Sequence, residues 1–365
     1  MGEAILLVGG QGTRLRPLTL STPKPMLPVA GLPVTVHQIL RARDAGVTRV
    51  VLGTSYRAEV FAEQLGDGRD LGVEIAYAVE AEPLGTGGAI RNAADLLTCA
   101  PDDPVMVLNG DVLSGIDYGA LVAGHAASGA ALTLHLTRVD DPTAYGLVPT
   151  DGDDRVLAFR EKPQTPEEIV TDQINAGCYV FTRSVIDQIP AGRPVSVERE
   201  TFPELLDRGL LVRGVVDDAY WLDLGTPWDF VRGSADLVRG IAPWSGHEPA
   251  PYLLLPGAQV SDQAVVGQGT TVGRGARVHG DAVVEGSVLM DDSVVEAGAC
   301  VIDSVIGQRA RIEAGATIVG AVIGDDAVIG AGNELRHGAR VWPGVTLPAT
   351  SVRFSSDAET PPLNR

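Results

Sequence analysis

The chain has 365 residues, 45% of them hydrophobic, with 44 glycines and 24 prolines, and its 28 basic against 47 acidic side chains give a formal net charge of -19. That length is enough for two buried cores, and the acidity argues against broad contact with nucleic acid or an anionic membrane surface. Cys99, Cys178 and Cys300 form no C-x-x-C pair, which speaks against a zinc ribbon or a disulfide framework and fits a reducing cytoplasm.

The first apolar run, Ala4 to Val8, has no basic leader and is too short for the core of a signal peptide. No later stretch approaches the ~20 apolar residues of a membrane span, so a cytoplasmic protein without a membrane partner is expected. The run leads into VGGQGTRLRPLT, Val8 to Thr19, where Gly9, Gly10 and Gly12 expose bare amides, Thr13 offers a hydroxyl and Arg14 a guanidinium fork. Such a loop suits a phosphate chain. It lacks the Gly-Lys-Ser/Thr ending of a P-loop, and Leu15 stands where the dinucleotide-binding fingerprint needs glycine.

Short β-rich runs then alternate with helical stretches near 34–45, 87–97 and 118–127: RVVLGT, VEIAYAV, PVMVLNGD, ALTLHLTRV. The alternation predicts an α/β domain over residues 1–240 with a mostly parallel, Rossmann-like sheet, whose ligands sit at the carboxyl ends of strands. Both the opening loop and LNGD fall at such ends. Of the basic residues only Lys24, in PKP, and Lys162, in EKP, are lysines. An ammonium on a flexible stem can reach a phosphate oxygen in a way that a planar guanidinium cannot. The prolines at 17, 23, 25 and 28 stiffen the chain around Lys24.

Residues 241–256 form a Pro-rich connector without periodicity. Beyond it aliphatic residues recur every six positions, from Val260 to Val284, Leu289 to Val301, Ile306 to Ile318 and Ile323 to Val341, with a step of five ending at Leu289, Ile306 and Ile323. Three hexapeptides per coil, with one corner a residue shorter, predict a left-handed parallel β-helix of about five coils over 257–347. An exposed prism end is expected to serve assembly into a homo-oligomer. Residues 348–365 read as a loose polar tail.

Taken in order, GGQGTRLRPLTLSTPKPMLPVAG, EPLGTGGAI, LNGD, EKP, NAGCYVF, SVERETFPELL and WLDLGTPWDF, followed by the hexapeptide prism, resemble the sugar-1-phosphate nucleotidyltransferases, and within them the mannose-1-phosphate guanylyltransferases, over nearly the whole chain. The resemblance implies that GTP and α-D-mannose 1-phosphate give GDP-mannose and diphosphate with Mg²⁺ as cofactor. The positions matching the family's nucleotide site are Val8, Gly9, Gly10, Gly12, Thr13, Arg14, Lys24, Gly85, Thr86, Asn109 and Gly110. Gly85 and Thr86 would read the base, and Asn109 could instead be a structural strand end. Those matching the sugar-phosphate site are Gly146, Glu161, Lys162, Asn175 and Gly177, and those matching the metal site are Asp111 and Asp223. Catalysis would fall to Arg14, Lys24, Lys162 and Asp111. No histidine lies in these motifs, which suits a nucleophile that is already ionised, since a phosphate monoester has its second pKa near ~6.

Three alternatives stay open at this stage. One is another nucleotidyltransferase, pairing glucose 1-phosphate with dTTP, UTP or ATP. A second is a non-catalytic GDP-sugar-binding regulator. The third is an acyltransferase using the prism, where His279 and His337 each adjoin a glycine as corner residues do.

Overall fold

The computed structural model describes residues 2–55, 57–243 and 246–353. Most of the expected tail, residues 354–365, and residues 244–245 of the connector lie outside the described residues. The described residues fall into two compact units. The first comprises those of Met1–Gln11, Thr22–Leu27 and Pro33–Asp223, and the second those of Gly12–Ser21, Pro28–Leu32 and Leu224–Arg365. The signature loop that opens with Val8 is therefore divided: its residues up to Gln11 pack with the first unit, and those from Gly12 pack with the carboxyl-terminal half of the chain. The PKP segment packs with the first unit.

The first unit is built on a sheet of nine strands. Glu3–Leu7 lies parallel between Arg49–Thr54 and Pro104–Asn109, with Glu74–Val79 parallel at the outer edge. These runs are near-continuous aliphatic sequence because helices cover a parallel sheet on both faces. The rest of the sheet is mixed. Gln173–Thr182 runs antiparallel to Pro104–Asn109 and to Leu132–Arg138, and Val212–Val216 is parallel to the latter. The mostly parallel expectation holds for the half carrying the opening loop. Beyond Pro104–Asn109 the direction reverses, a choice that an isolated apolar run does not encode. Ile5, Val51, Val107, Tyr179, Phe181 and Phe202 are fully buried in this unit's core.

The second unit contains three parallel sheets of six, six and five short strands. Five coils are complete and a sixth has two sides, consistent with the left-handed β-helix expected. One inward row runs Val272, Leu289, Ile306, Ile323 and Val341 in register, a second Val278, Val295, Ile312 and Ile329, and a third Val284, Val301, Ile318 and Leu335. All are buried. The three short steps all enter the first of these sheets. At that corner Thr270, Ser287 and Ser304 each accept, through their hydroxyl, the backbone N–H one coil further on, from Ser287, Ser304 and Ala321 respectively. A hydroxyl here satisfies backbone that the tightened corner leaves without a strand partner. No helix among the described residues is long and apolar enough to cross a membrane.

Candidate active site

The first unit holds a cleft of about 420 Å³ at the carboxyl ends of the parallel strands, lined among others by Gly9, Gly10, Gln11, Ser55, Glu80 and Thr86. Gly10 has φ 124°, which a side chain would strain, and a Cβ on Gly9 would come within 2.9 Å of the Ser55 hydroxyl. The backbone here is open to a ligand because the residues are glycines. Val8, by contrast, is buried and gives its N–H to the Gly53 carbonyl at 3.0 Å. That bond gives Val8 a structural place at the end of the strand, beside its expected one.

Gly85 and Thr86 both line the cleft. The glycines of EPLGTGG also serve packing: the N–H groups of Gly87 and Gly88 go to the Val195 carbonyl at 2.8 and 3.3 Å, and a Cβ on Gly85 would stand 2.6 Å from that same oxygen. Thr86 donates its hydroxyl hydrogen to Glu198 at 2.9 Å and accepts from the Val197 N–H at 3.0 Å. Its one donor is therefore spent within the protein, which leaves it only an acceptor site for a ligand. Glu80, which the sequence reading passed over, is 9% exposed and lines the cleft. One oxygen accepts the Leu84 N–H at 3.0 Å, and burial raises its pKa above the ordinary range, opposed in part by that bond. A charged residue closing the strand VEIAYAV at its cleft end was the available signal.

Lys24, Asp111 and Asp223, which are far apart in sequence, meet. The Lys24 ammonium lies 2.7 Å from Asp111 Oδ2 and 3.7 Å from Asp223 Oδ1. Lys24 stands in a 3₁₀ turn, Lys24–Met26, fixed by the prolines on either side and by the Thr35 hydroxyl, which donates to the Pro25 carbonyl at 2.9 Å. The two aspartates are joined by an antiparallel pair, Val112–Ser114 with Trp221–Asp223, in which Asp223 faces Val112. Gln38, also missed from sequence, donates to the carbonyls of Asn109 and Val112 at 2.7 and 3.0 Å and so holds the Gly110–Asp111 turn. Gly110 is needed there, because a Cβ would lie 2.5 Å from the Leu7 carbonyl. Among the described residues no group of three or more metal-ligating side chains occurs. Two convergent carboxylates already drawn to one cation are an all-oxygen donor set that suits a magnesium ion, which commonly keeps water and substrate phosphate as its other ligands.

Of the five expected sugar-phosphate residues, Gly146, Glu161, Asn175 and Gly177 lie on three connected strands, and Lys162 directly follows the strand that ends at Glu161. Glu161 faces Gly146 across an antiparallel pair, and a Cβ on Gly146 would come 2.7 Å from a Glu161 carboxylate oxygen. Leu147 in turn pairs with Ile174, next to Asn175. Burial, then the charge of Glu198, raises the Glu161 pKa, while Lys162 and Arg199 pull it down. Lys162 is exposed, has φ 49°, and its ammonium lies 3.9 Å from the Glu161 carboxylate. Asn175 and Gly177 mark a bulge in their strand. Asn175 accepts the Gly177 N–H at 3.1 Å and donates to the Tyr179 hydroxyl at 2.9 Å, while Trp221 donates to the Ala176 carbonyl at 2.9 Å. Gly177 has φ 74°, and a Cβ there would press on Asn109. That contact gives Asn109 a structural place beside its expected one.

In the second unit, Gly12 has φ 57° and opens the 3₁₀ turn Thr13–Leu15, with the Thr19 hydroxyl donating to its carbonyl at 2.9 Å. Arg14 is exposed and rests on Gly225, where a Cβ would stand 2.9 Å from the guanidinium. Gly225 lies within WLDLGTPWDF. His125 and His135 are buried, with pKa values pushed down to about 4, chiefly by burial. His337 is exposed, and His279 is about half-exposed near Glu296.

A nucleotidyl transferase family model matches residues 3–240, and a GMPPB C-terminal domain model matches residues 249–355. The chain is 57% identical over 360 residues to the mannose-1-phosphate guanylyltransferase of Mycobacterium tuberculosis, covering 97% of this chain and 98% of that one. The chain belongs to the mannose-1-phosphate guanylyltransferases of the nucleotidyl transferase family. A probable mannose-1-phosphate guanylyltransferase of Oryza sativa is 36% identical, over 84% of this chain and 86% of its own length. Among solved structures, HddC from Yersinia pseudotuberculosis in complex with GMP-PN matches with a TM-score of 0.54 at 29% identity, over 64% of this chain and 98% of that one.

Proposed function

We propose that the chain joins GTP to α-D-mannose 1-phosphate, releasing diphosphate and forming GDP-mannose. A phosphate oxygen of the sugar phosphate attacks the α-phosphorus of GTP, and the bond from that phosphorus to the bridging oxygen of the leaving diphosphate breaks. The nucleophile is ionised at neutral pH, so what the protein must supply is alignment and positive charge. Its own acidity makes that supply local.

The observation that carries the reading is the Lys24 ammonium set against Asp111 and Asp223. Lys24 contacts the α-phosphate, where charge accumulates as the bond forms. Asp111 and Asp223 hold a magnesium ion, which when bound offsets phosphate charge. Gly9, Gly10, Gly12, Thr13 and Arg14 receive the triphosphate, with Arg14 on the leaving diphosphate. Lys162 holds the phosphate of the sugar, and Glu161, Asn175 and the backbone at Gly146 and Gly177 take its hydroxyls. The two lysines of the chain thus mark the two anions that must be brought together.

Base choice rests on Glu80. The pairing edge of guanine carries two adjacent N–H donors and adenine's carries one, so a buried carboxylate in the cleft favours guanine. The same account makes residues 1–240 the catalytic region, followed by a connector, the prism and a tail. It also makes the protein a cytoplasmic homo-oligomer with no nucleic-acid or membrane partner.

The test crosses GTP, ATP, UTP and dTTP with mannose 1-phosphate and glucose 1-phosphate, with and without Mg²⁺, and follows diphosphate release. Turnover only with GTP, mannose 1-phosphate and Mg²⁺ together, and a Glu80→Gln variant that loses preference for GTP over ATP, are the expected results. Another preferred pair would replace the substrates. No turnover with any pair would favour the regulatory alternative.

A further inference from the structure

The outward row of the prism's first sheet, Thr271, Val288, Val305 and Val322, is buried to 3% exposure or less. On the second sheet the outward row runs Arg277, Val294 and Arg311, and both arginines are exposed. The first wall is therefore covered. Helix Pro227–Val238 covers its beginning: Ser234 lies 3.2 Å from the Thr271 hydroxyl, and a Cβ on Gly269 would meet the Ala235 backbone at 2.7 Å. In the last coil the row continues from Val322 to Arg340, where the periodic code would place another valine.

Arg340 donates to the Arg16 carbonyl at 2.8 Å. Fifteen residues before it, Asp325 accepts the Ser21 hydroxyl at 3.0 Å through Oδ2, while its Oδ1 accepts the Gln308 N–H at 2.9 Å. That second bond belongs to the coil itself, because Asp291 accepts the Arg274 N–H in the same way two coils earlier. Asp325 is thus a fixed post with one oxygen left for the loop. The two side chains bracket Arg16 to Ser21, which begin two residues after Arg14, and the Ala30 N–H, on the other side of PKP, is tied to the Ser234 hydroxyl at 2.9 Å.

We propose that this wall of the β-helix positions the signature loop for catalysis, with Arg340 and Asp325 as positioning residues that act through Arg14. The inference rests on the reading of Arg14 as a triphosphate ligand. Both bonds are exposed, so each is weak in stability terms. Their effect is to narrow the loop's conformations before the nucleotide arrives, which lowers the entropy lost on binding.

The experiment measures KM for each substrate, kcat and melting temperature for the full chain and for Arg340→Ala, Arg340→Lys, Ser21→Ala, Arg14→Ala and the Arg14→Ala/Arg340→Ala double variant. Arg336→Ala is the control, since Arg336 pairs with Glu334 on the same prism. We expect Arg340→Ala to raise KM for GTP roughly three- to tenfold while KM for the sugar phosphate and the melting temperature stay put. Lysine should recover most of the loss, and Ser21→Ala, which leaves the prism untouched, should act in the same direction. The double variant should bind GTP no worse than Arg14→Ala alone, because the two residues act in series. Unchanged GTP kinetics in Arg340→Ala and Ser21→Ala beside an impaired Arg14→Ala would overturn the positioning role alone, as would additive losses in the double variant. Unchanged kinetics in Arg14→Ala would instead overturn the triphosphate reading beneath it.

Discussion

The catalytic unit and the β-helix solve opposite problems. In the prism each inward residue repeats the job of the one a coil earlier, so Leu289, Ile306 and Ile323 are interchangeable in kind and their spacing states the fold. In the catalytic unit Lys24, Asp111 and Asp223 each occur once, and they meet only because the fold pairs Val112–Ser114 with Trp221–Asp223, segments far apart in sequence, and sets Lys24 beside that pair. Repetition makes a structure legible, whereas a site is made of single residues whose meaning is their partners. Variants in the two regions should accordingly separate function from stability.

The largest effect is expected in the catalytic unit. Lys24→Ala or Asp111→Ala should lower kcat by about 10²–10³, the cost of removing one preorganised electrostatic contact to a transition state. Steady-state diphosphate release measures it, and the melting temperature of Asp111→Ala should change little, because Asp111 is partly exposed. Retained turnover in both variants would break the comparison.

Ile306→Ala in the prism should do the reverse. Ile306 is fully buried, so the loss should be about 2–5 kcal/mol in denaturant unfolding. At 25 °C the folded fraction should keep its kcat, since the cavity lies inside the prism. Gly225→Ala sharpens the contrast. Its methyl group would meet only the far end of Arg14, a flexible side chain, so stability should hold while activity falls by roughly an order of magnitude through displaced Arg14.

The smallest effect concerns acid. The pKa of His135 is pushed from 6.5 to about 4, mainly by burial, and neither ring nitrogen has a hydrogen-bond partner among the described residues. The folded state then binds fewer protons than the unfolded chain between those values, so stability is complete above pH 6.5 and is lost as pH falls toward about 4. His135→Leu should reduce the dependence of melting temperature on pH across that window, leaving the part due to His125, whose pKa is lowered alike. An unchanged slope would contradict the assignment.

Much of this could be read in the chain itself. The hexad rows and the three short steps gave the prism, because an inward residue must be aliphatic whatever surrounds it. The hydroxyls at 270, 287 and 304 were visible too, but their reason, an orphaned N–H at a shortened corner, appears only once the coils are stacked. The scarcity of lysine pointed to Lys24 and Lys162. Strand direction beyond Pro104–Asn109 was not legible, since parallel and antiparallel partners ask for the same aliphatic residues. Glu80, Gln38 and Gly225 were missed because each acts through a contact with residues distant in sequence. The hydrogen bonds of Thr86 to Glu198 and Val197, which leave its hydroxyl only an acceptor site for a ligand, were likewise not legible, since both partners are distant in sequence.

The central claim is that one guanylyl group passes from GTP to mannose 1-phosphate at the site built around Lys24, and the most direct measurement is product analysis. GTP, mannose 1-phosphate and Mg²⁺ incubated with the purified chain should yield GDP-mannose and diphosphate in equal amounts, resolved by phosphorus NMR, with neither formed by Lys24→Ala. Free GDP or GMP with inorganic phosphate in place of a nucleotide sugar, or equal product from Lys24→Ala, would contradict it.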